Sequence, residues 1–474
     1  MKESRTIVKW SGALGLALAS AIAACTNTSD GPVDPGPPEF APVATVVLTP
    51  QLAESEVGAT YFFEAVTLDA AGTVLADRPV AWASSDPAVA SIDSTGMATA
   101  TSPGSTSIIA TSEGITDSAS LTVVAVPVAS VVVQPQDTLL EIGQTFQLAA
   151  EARDAAGQPL VGRTIVWSSL DPAVATVSDD GRGEAVGLGA VSIEAEVEGV
   201  SGASVLTVVH APVTLVGAGD IADCDTPWDE ATADLLAVIP GTVFTVGDNV
   251  YEDGTVEEYA DCYGPSWGRH KDRTYPAIGN HEYHTSNGAP HFEYFGAAAG
   301  EPDKGYYSYE AGAWKIIVLN SNTGRVPVDA GSQQEQWLRD ELASSDHACT
   351  LAYWHHPRFS SGVYGDDARF DAFWQALYEF GAELVVVGHE HHYERLAPLN
   401  PAGELDPAAG IRQIIAGTGG RYLRPTGVPR IGSEVRNSET FGVIKLTLRH
   451  DSYDWEFIPV AGQTFTDAGS GLCH

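Results

Sequence analysis

The sequence predicts a multidomain chain in which two all-β sandwiches precede a large α/β domain. One observation behind this prediction is an internal repeat: VATVVLTP at 43–50 returns as VASVVVQP at 128–135, 85 residues later. Another is a change in composition at residue 213, after which continuous apolar runs alternate with amphipathic stretches. A chain of 474 residues has room for about three domains of ordinary size.

The two repeats, 43–127 and 128–212, consist of short runs rich in Val, Ile and Thr, separated by Gly, Pro and Asp. Strand-forming runs at this spacing are typical of an all-β sandwich. Through WASSDPAVA (82–90), WSSLDPAVA (167–175) and a closing Leu-Thr-Val, the repeats resemble the bacterial Ig-like domain, group 2. That resemblance implies a stalk or a module that binds cell-surface material, and we favour the stalk.

The third part, 213–474, alternates strand-like and helix-like patterns. WKIIVLN (314–320), for example, is followed by the amphipathic stretch SQQEQWLRDELA (332–343). Continuous apolar strands between amphipathic helices indicate sheets that are covered by helices. We therefore expect an α/β domain with one large core.

Side chains able to bind a metal stand where five of these apolar runs end. In α/β folds, ligands bind beyond the carboxyl ends of the strands. Carboxylates, an amide oxygen and imidazoles at one edge could hold two cations, with one carboxylate bridging them, and such a paired site suits displacement at phosphorus. The residues at these ends are Asp220, Asp248, Asn280 with His281, His355 with His356, and His389 with His391.

The ordered blocks around these residues resemble the metallophosphoesterase (calcineurin-like) superfamily, and within it the purple acid phosphatases. The blocks are GDIA (219–222), GDNVY (247–251), GNHE (279–282), WHHPRFSSG (354–362) and GHEHHYER (388–395). The resemblance implies a two-sheet β-sandwich flanked by helices, with two metal ions at its edge. It also implies hydrolysis of phosphate esters by attack of a metal-bound hydroxide.

Residue roles follow from the same resemblance. Asp248 would bridge the two ions, and His281 would act as an acid or hydrogen-bond donor near the leaving group. His355 is preferred to His356 because the family places this ligand two residues before a proline, here Pro357. The remaining ligands would be Asp220, Tyr251 and His391 for the first ion, and Asn280, His355 and His389 for the second.

Tyr251 is assigned as a ligand because another ligand is missing. Most of the superfamily has Asp-x-His in the first block, but here that position is Ala222. The purple acid phosphatases also lack this His and supply a Tyr from the second block. A phenolate is a hard, anionic donor that suits Fe³⁺, whereas the second site suits Zn²⁺, Mn²⁺ or Fe²⁺.

The residues around the centre are less well defined by the sequence. Purple acid phosphatases usually carry further His residues after the fourth block, but SSGVYGDDARF (360–370) contains none. His356, Tyr364 and Asp366 are our candidates for substrate contacts, and an Asp there would disfavour a highly charged substrate. GTGGR (417–421) predicts a close approach of backbone under the site. His270, His284 and His291 are further candidates for its rim.

The N-terminus has the pattern of an export signal. Basic residues precede the apolar stretch 12–24, which is too short to span a bilayer and ends in IAAC. This ending resembles a bacterial lipobox, which implies a signal peptide at 1–24, lipidation of Cys25 and a spacer at 25–42. The alternative is a plain signal peptide and a secreted protein.

The other four cysteines are Cys224, Cys262, Cys349 and Cys473. In an exported domain an even number suggests two disulfides, and four cysteines allow three pairings. We favour Cys224 with Cys262 and Cys349 with Cys473.

The charge limits the classes of partner. Acidic residues outnumber basic ones by 62 to 24, for a net charge of −38, which argues against nucleic acid as a partner. We expect a small phosphorylated substrate, a phosphate monoester in the first place, and membrane contact only through the lipid anchor. A phosphodiesterase or nucleotidase of the same fold, or a non-catalytic surface-binding protein, are the alternatives.

Overall fold

The computed structural model describes residues 41–474, which form two compact units that divide between Pro127 and Val128. The predicted signal peptide and Cys25 lie outside the described residues. The predicted order of two all-β sandwiches and then an α/β domain is confirmed, with the second sandwich and the α/β domain in the same unit. Among the described residues, no helix combines the length and the apolarity needed to cross a bilayer.

The first unit is a sandwich of nine strands. Alternation places one side of a strand in the core: Val46 and Leu48 of the first strand are buried, while their neighbours are exposed. The sheets have the orders β1-β4, β2-β9-β8-β5 and β3-β7-β6. The strands are β1 Thr45–Thr49, β2 Leu52–Glu56, β3 Thr60–Phe62, β4 Glu64–Leu68, β5 Ala81–Ser84, β6 Ala90–Ile92, β7 Met97–Ala100, β8 Gly104–Ser112 and β9 Ile115–Val124.

The second repeat folds in the same way. Each of its nine strands begins 85 residues after its counterpart, and the sheet orders β10-β13, β11-β18-β17-β14 and β12-β16-β15 correspond to those of the first repeat. The sequence repeat is thus a repeat of structure. The strands are β10 Ser130–Gln134, β11 Asp137–Glu141, β12 Thr145–Gln147, β13 Ala149–Arg153, β14 Val166–Ser169, β15 Ala175–Val177, β16 Arg182–Ala185, β17 Gly189–Val197 and β18 Val200–Val209.

Two larger sheets form the α/β part. The six-stranded sheet has the order β21-β20-β19-β29-β30-β31, and the seven-stranded sheet has the order β22-β23-β24-β25-β27-β26-β28. The strands are β19 Val213–Ala218, β20 Thr242–Val246, β21 Thr274–Ala277, β22 Tyr307–Ala311, β23 Trp314–Val318, β24 Cys349–Tyr353, β25 Leu384–Val387, β26 Tyr393–Leu396, β27 Arg412–Ala416, β28 Ser433–Asn437, β29 Gly442–Leu448, β30 Ser452–Pro459 and β31 Asp467–Leu472.

The helices are short and lie between the strands. The α-helices are α1 Trp228–Val238, α2 Val256–Glu258, α3 Ala289–Phe295, α4 Gln333–Ala343 and α5 Asp371–Glu379. A π-helical turn spans Tyr259–Tyr263, and 3₁₀ turns span Trp267–Arg273, His281–His284, Ser286–Gly288, Gly296–Ala299 and Ala368–Phe370.

The two large sheets pack face to face. Phe244 and Leu446 of the six-stranded sheet share one buried apolar cluster with Leu351 and Val386 of the seven-stranded sheet. A second cluster joins α4 and α5 to the outer face of the seven-stranded sheet, and a third joins α1 to the six-stranded sheet. Burial on both faces explains why these strands read as continuous apolar runs.

Two disulfides join segments that are distant in sequence. Cys224 bonds to Cys262 with the Cα atoms 5.1 Å apart, and Cys349 bonds to Cys473 with the Cα atoms 5.5 Å apart. This is the pairing that the sequence analysis favours. The second bond ties the first residue of β24, in the seven-stranded sheet, to the segment after β31 of the six-stranded sheet.

Candidate metal centre

The predicted metal ligands come together where strands of both sheets end. Strands β19, β20 and β21 run parallel in one sheet, and β24 and β25 run parallel in the other. The loops after their carboxyl ends therefore meet at one edge of the sandwich. These loops carry Asp220, Asp248 with Tyr251, Asn280, His355, and His389 with His391, respectively.

The first half of the centre consists of Asp220, Tyr251 and His391 together with Asp248. The Tyr251 hydroxyl donates to Asp220 Oδ1 at 2.8 Å and lies 3.2 Å from Asp248 Oδ2. His391 Nε2 is 3.3 Å from Asp220 Oδ1 and 3.4 Å from the phenol oxygen. Four donor atoms thus face a common point in the buried interior.

The second half is built around His355. Its Nε2 atom lies 3.2 Å from Asp248 Oδ2, 3.1 Å from Asn280 Oδ1 and 3.2 Å from His389 Nδ1. An amide oxygen, two imidazole nitrogens and one carboxylate oxygen therefore surround this half. The set suits a divalent transition metal or zinc.

Asp248 belongs to both halves through a single atom. Its Oδ2 contacts Tyr251 on one side and His355 on the other, each at 3.2 Å. Its other oxygen, Oδ1, accepts a hydrogen bond from the His281 amide at 2.9 Å, which fixes the orientation of the carboxylate. The donor set on both sides, joined by one shared carboxylate, fits a dinuclear metal centre.

Three of the ligands have a left-handed backbone conformation, which residues other than glycine seldom adopt. The φ angles of Asp220, Asp248 and His389 are 58°, 49° and 67°. The left-handed region costs an L-residue about 1–2 kcal/mol. Strain of this kind persists where the surrounding structure requires it, which is common at functional sites.

The Gly-rich segment after β27 approaches the centre, as GTGGR predicts. A Cβ atom on Gly417 would stand 2.7 Å from Asp220 Oδ2. The amide of Arg421 donates to the Asp220 carbonyl at 2.9 Å. A larger residue at position 417 would therefore clash with the Glu390 backbone as well as with the Asp220 carboxylate.

Two of the imidazoles are oriented by backbone carbonyls. His391 Nδ1 donates to Tyr422 O at 2.8 Å, and His355 Nδ1 donates to Val246 O at 2.9 Å. Because a carbonyl can only accept, these bonds place the proton on Nδ1 and leave Nε2 free as a ligand atom.

Glu282 joins the loops that carry the bridging and second-half ligands. Its buried carboxylate accepts hydrogen bonds from the amides of Asn249 at 2.6 Å, Gly279 at 2.7 Å and Val250 at 3.2 Å. Burial and the nearby charge of Asp248 raise the pKa of Glu282 to about 7. The block GNHE thus contributes a proposed metal ligand, Asn280, and a carboxylate, Glu282, that joins the loops of the site.

The buried carboxylates raise the pKa values of two neighbouring donors. Burial and the Asp220 carboxylate raise the pKa of the Tyr251 phenol well above its usual value, so the hydroxyl keeps its proton and donates it. Burial opposes a charge on His355, but the Asp248 carboxylate outweighs it and raises the pKa to about 9. A bound cation would take the place of these protons and favour the ionised donors.

Tyr251 and Ala222 are neighbours. The Tyr251 amide donates to the Ala222 carbonyl at 2.9 Å, and the Ala222 amide donates to Asn249 O at 3.0 Å. The methyl group of Ala222 is buried and offers no donor, whereas the phenol oxygen reaches the carboxylates. This contact supports the interpretation of Tyr251 as the ligand that replaces the missing His.

His281 stands beside the cluster and not inside it. Its Nδ1 donates to the carbonyl of Glu252 at 2.6 Å, and its Nε2 lies 3.9 Å from Asp248 Oδ2. The ring packs 4.4 Å from that of Tyr251 and is partly exposed. The position is that of a residue able to reach a bound substrate.

Two of the three predicted substrate contacts lie next to the centre, and the third does not. His356 Nδ1 and the Ser321 hydroxyl form a hydrogen bond of 2.8 Å, and the His356 ring lies 4.3 Å from that of His389. Tyr364 stacks on His389 at 4.6 Å and is exposed.

Asp366 instead accepts from the Ser360 amide at 3.0 Å and pairs with Arg430 at 3.0 Å. Asp367 is likewise paired, with Arg369. Their charges are compensated by arginines, so the expected repulsion of a highly charged substrate loses its basis. Of the other rim candidates, His291 is buried against Tyr259 and does not reach the surface.

The segment after the Gly-rich turn supplies side chains that the sequence analysis missed. The Arg421 guanidinium lies 4.6 Å above the Tyr251 ring and pairs with Asp223 and Glu252. Arg424 donates to the Tyr364 hydroxyl at 3.0 Å. Because β27 is parallel to β25, the segment after β27 also lies at the carboxyl ends of the strands, where ligands bind in α/β folds, and the same reasoning would have indicated it.

Family models match three regions of the chain. Residues 42–123 and 127–208 match the bacterial Ig-like domain (group 2), and residues 204–393 match the calcineurin-like phosphoesterases. Strands β29, β30 and β31 follow the last matched region and complete the six-stranded sheet.

Curated relatives and a solved structure are similar to parts of the chain. Purple acid phosphatase 15 of Arabidopsis thaliana is 27% identical over 223 residues, which are 39% of this chain and 41% of the relative. Acid phosphatase A of Cryphonectria parasitica is 29% identical over 177 residues, which are 31% of this chain and 34% of the relative. Less than half of each relative is therefore covered.

A solved purple acid phosphatase from yellow lupin (Lupinus luteus) aligns with a TM-score of 0.46 at 14% identity, over 90% of this chain and 95% of that one. The family models and the curated relatives together identify the chain. It carries two bacterial Ig-like domains of group 2 followed by a calcineurin-like phosphoesterase domain, and purple acid phosphatases are among its homologues.

Proposed function

We propose that this protein is an exported phosphatase that hydrolyses phosphate monoesters at a dinuclear metal centre. The observation that carries the proposal is the position of Asp248 Oδ2, which faces the Tyr251 side and the His355 side at equal distances of 3.2 Å. A bridging carboxylate of this kind serves reactions in which two ions act on one phosphoryl group.

The ligand sets differ between the two ions. Asp220, Tyr251 and His391 would hold the first ion, and we propose Fe³⁺ there because two of these donors are anionic when ionised. Asn280, His355 and His389 would hold Zn²⁺, Mn²⁺ or Fe²⁺. When bound, the two ions would activate a water molecule as the nucleophile and neutralise charge on the phosphoryl oxygens.

The residues of the chain would orient the ester and supply a proton. In the reaction a new P–O bond forms from water, the ester P–O bond breaks, and the leaving oxygen takes a proton. His281 is our candidate donor: Glu252 O holds its Nδ1–H at 2.6 Å, so Nε2 is the nitrogen that faces the centre. His356 and the exposed ring of Tyr364 would contact the substrate beside His389.

Two disulfides support the proposed location. Bonds between Cys224 and Cys262 and between Cys349 and Cys473 are stable in oxidising compartments and rare in the cytosol. We propose export, followed by anchoring through a lipid on Cys25. The Ig-like repeats would then act as a stalk that holds the enzyme away from the membrane.

The test measures bound metals and activity on the same preparations of the mature chain. Chromogenic aryl phosphate monoesters and diesters, compared at equal concentration, should show a higher kcat/KM for the monoester and about two metal ions per chain. Equal or faster turnover of the diester would contradict the monoester assignment. Full turnover by metal-free protein would contradict the dinuclear mechanism.

A further inference from the structure

A surface groove of about 290 Å³ adjoins the second half of the metal centre. Asn280, which is a proposed metal ligand, and His356, which is a proposed substrate contact, are two of its ten lining residues. The groove continues along the loop after β23, where Asn322 and Arg325 lie. A phosphoryl group bound at the centre would therefore have its organic part within reach of this groove.

The lining of this groove differs in charge from that of four other surface grooves. None of its ten lining residues is Asp or Glu, and two are arginines, Arg325 and Arg369. Four other surface grooves in this chain each contain at least one carboxylate. In a chain with 62 acidic and 24 basic residues, a groove without a carboxylate beside the centre favours an anion.

Arg325 is the cation that is free to bind. Arg369 is held by the Asp367 carboxylate at 2.5 Å, and His284 lies 3.3 Å from Asp253 Oδ1. Arg325 donates at 3.3 Å to Asn287 Oδ1 and to the Tyr283 carbonyl, and within residues 41–474 it forms no ion pair, although Asp303 lines a second groove that Arg325 also borders. Its exposed guanidinium keeps donors available for a ligand.

We propose that this groove binds a second anionic group, a carboxylate or a further phosphate, on the organic part of a phosphate monoester, and that Arg325 determines this specificity. The inference rests on the proposed phosphatase function. It names the substrate class as monoesters whose leaving group is itself negatively charged. A guanidinium can hold such a group through two parallel hydrogen bonds.

The test compares two esters that differ only in charge, 4-carboxyphenyl phosphate and 4-carbamoylphenyl phosphate. For the natural enzyme we expect kcat/KM to be higher for the carboxylate. Arg325→Gln should raise KM for the carboxylate ester about five- to tenfold, with kcat unchanged and KM for the amide changed less than about twofold. Arg325→Lys should recover part of the difference.

Arg182→Gln is the matched control, because it removes the same charge from an exposed position in the second Ig-like domain. It should leave both esters unchanged. An equal effect of Arg325→Gln on the two esters, or no preference in the natural enzyme, would overturn the proposal.

A binding measurement separates this inference from the proposed function. Phosphonocarboxylates with methylene spacers of increasing length cannot be hydrolysed, and calorimetry can compare them with alkylphosphonates of equal length. Tighter binding of the carboxylates that Arg325→Gln abolishes would support the groove even without turnover. Hydrolysis of both aryl esters with no such difference in binding would support the phosphatase and overturn the groove.

Discussion

The two halves of the metal centre share Asp248 but differ in their other donors. The first half adds a carboxylate, a phenol and an imidazole, whereas the second adds an amide and two imidazoles. With the donors ionised, the first half gains two negative charges and the second gains none. The first half should therefore stabilise an ion of higher charge, and the second a divalent ion.

Both halves depend on the packing of the two sheets. Asp220 and Tyr251 follow strands of the six-stranded sheet, but His391 follows β25 of the seven-stranded sheet. In the second half Asn280 comes from one sheet and His355 from the other. Neither half could form on a separate sheet, so the apolar cluster between the sheets is also what holds the donors in position.

Loss of the shared ligand should have the largest effect. Asn fits the left-handed conformation at position 248, where φ is 49°, so Asp248→Asn should fold but lack the bridging charge. We expect kcat for an aryl phosphate to fall by at least about 10³-fold and the metal content to fall in both halves. Metal analysis and circular dichroism of the variant provide the check. Two bound ions with full turnover would contradict the assignment of Asp248.

Loss of a ligand from one half should remove one ion. His391→Ala takes a ligand from the first half, and Asn280→Ala takes one from the second. Each variant should keep about one ion per chain and lose about 10²-fold in kcat, because the remaining ion still polarises the ester. Metal analysis should detect different elements in the two variants. The same loss of metal in both would mean that the halves are not separate.

Tyr251→Phe tests the character of the first half. The change removes only the hydroxyl, and its effect on kcat should be about 10-fold. If the first ion is ferric, the phenolate gives the protein a visible charge-transfer band, which the variant should lose. Tyr259→Phe is the control, since that buried hydroxyl contacts His291 at 3.0 Å and not the centre. A band that persists in Tyr251→Phe would disprove the phenolate ligand.

Five of the seven ligands could be predicted from the sequence because each follows the end of an apolar strand by two or three residues, whereas Tyr251 and His391 lie five and four residues beyond theirs. At Asp248 and His389 the strand fixes the path of the chain, and a Gly precedes the ligand. The two Ig-like domains could also be predicted from the sequence, because their landmarks keep one offset of 85 residues throughout.

Side chains at the rim could not be predicted in this way, because their direction depends on partners distant in sequence. Asp366 turns to Arg430, which is 64 residues further along the chain. Arg325 forms no ion pair within residues 41–474, although Asp303 lines a second groove with it, and this depends on how several loops converge and not on its own segment. Whether a charged side chain around the site is paired depends on tertiary contacts, which a local sequence pattern does not predict.

The smallest effect should come from Arg421, which contacts the first half only. Its guanidinium lies 4.6 Å above the Tyr251 ring, while its ion pairs with Asp223 and Glu252 fix its position. A cation over an aromatic ring contributes about 0.5–1 kcal/mol. Arg421→Gln should therefore weaken the affinity for the first ion about two- to fivefold, while the affinity for the second stays unchanged.

Arg424→Gln is the matched control for this last comparison, because Arg424 contacts the Tyr364 and Tyr422 hydroxyls and not Tyr251. Competition with a coloured chelator measures both affinities in one titration. An equal loss at the two sites would show that Arg421 stabilises the loop as a whole and does not act on Tyr251. An effect confined to the first ion would instead mean that the two halves, although they share a carboxylate, can be tuned separately.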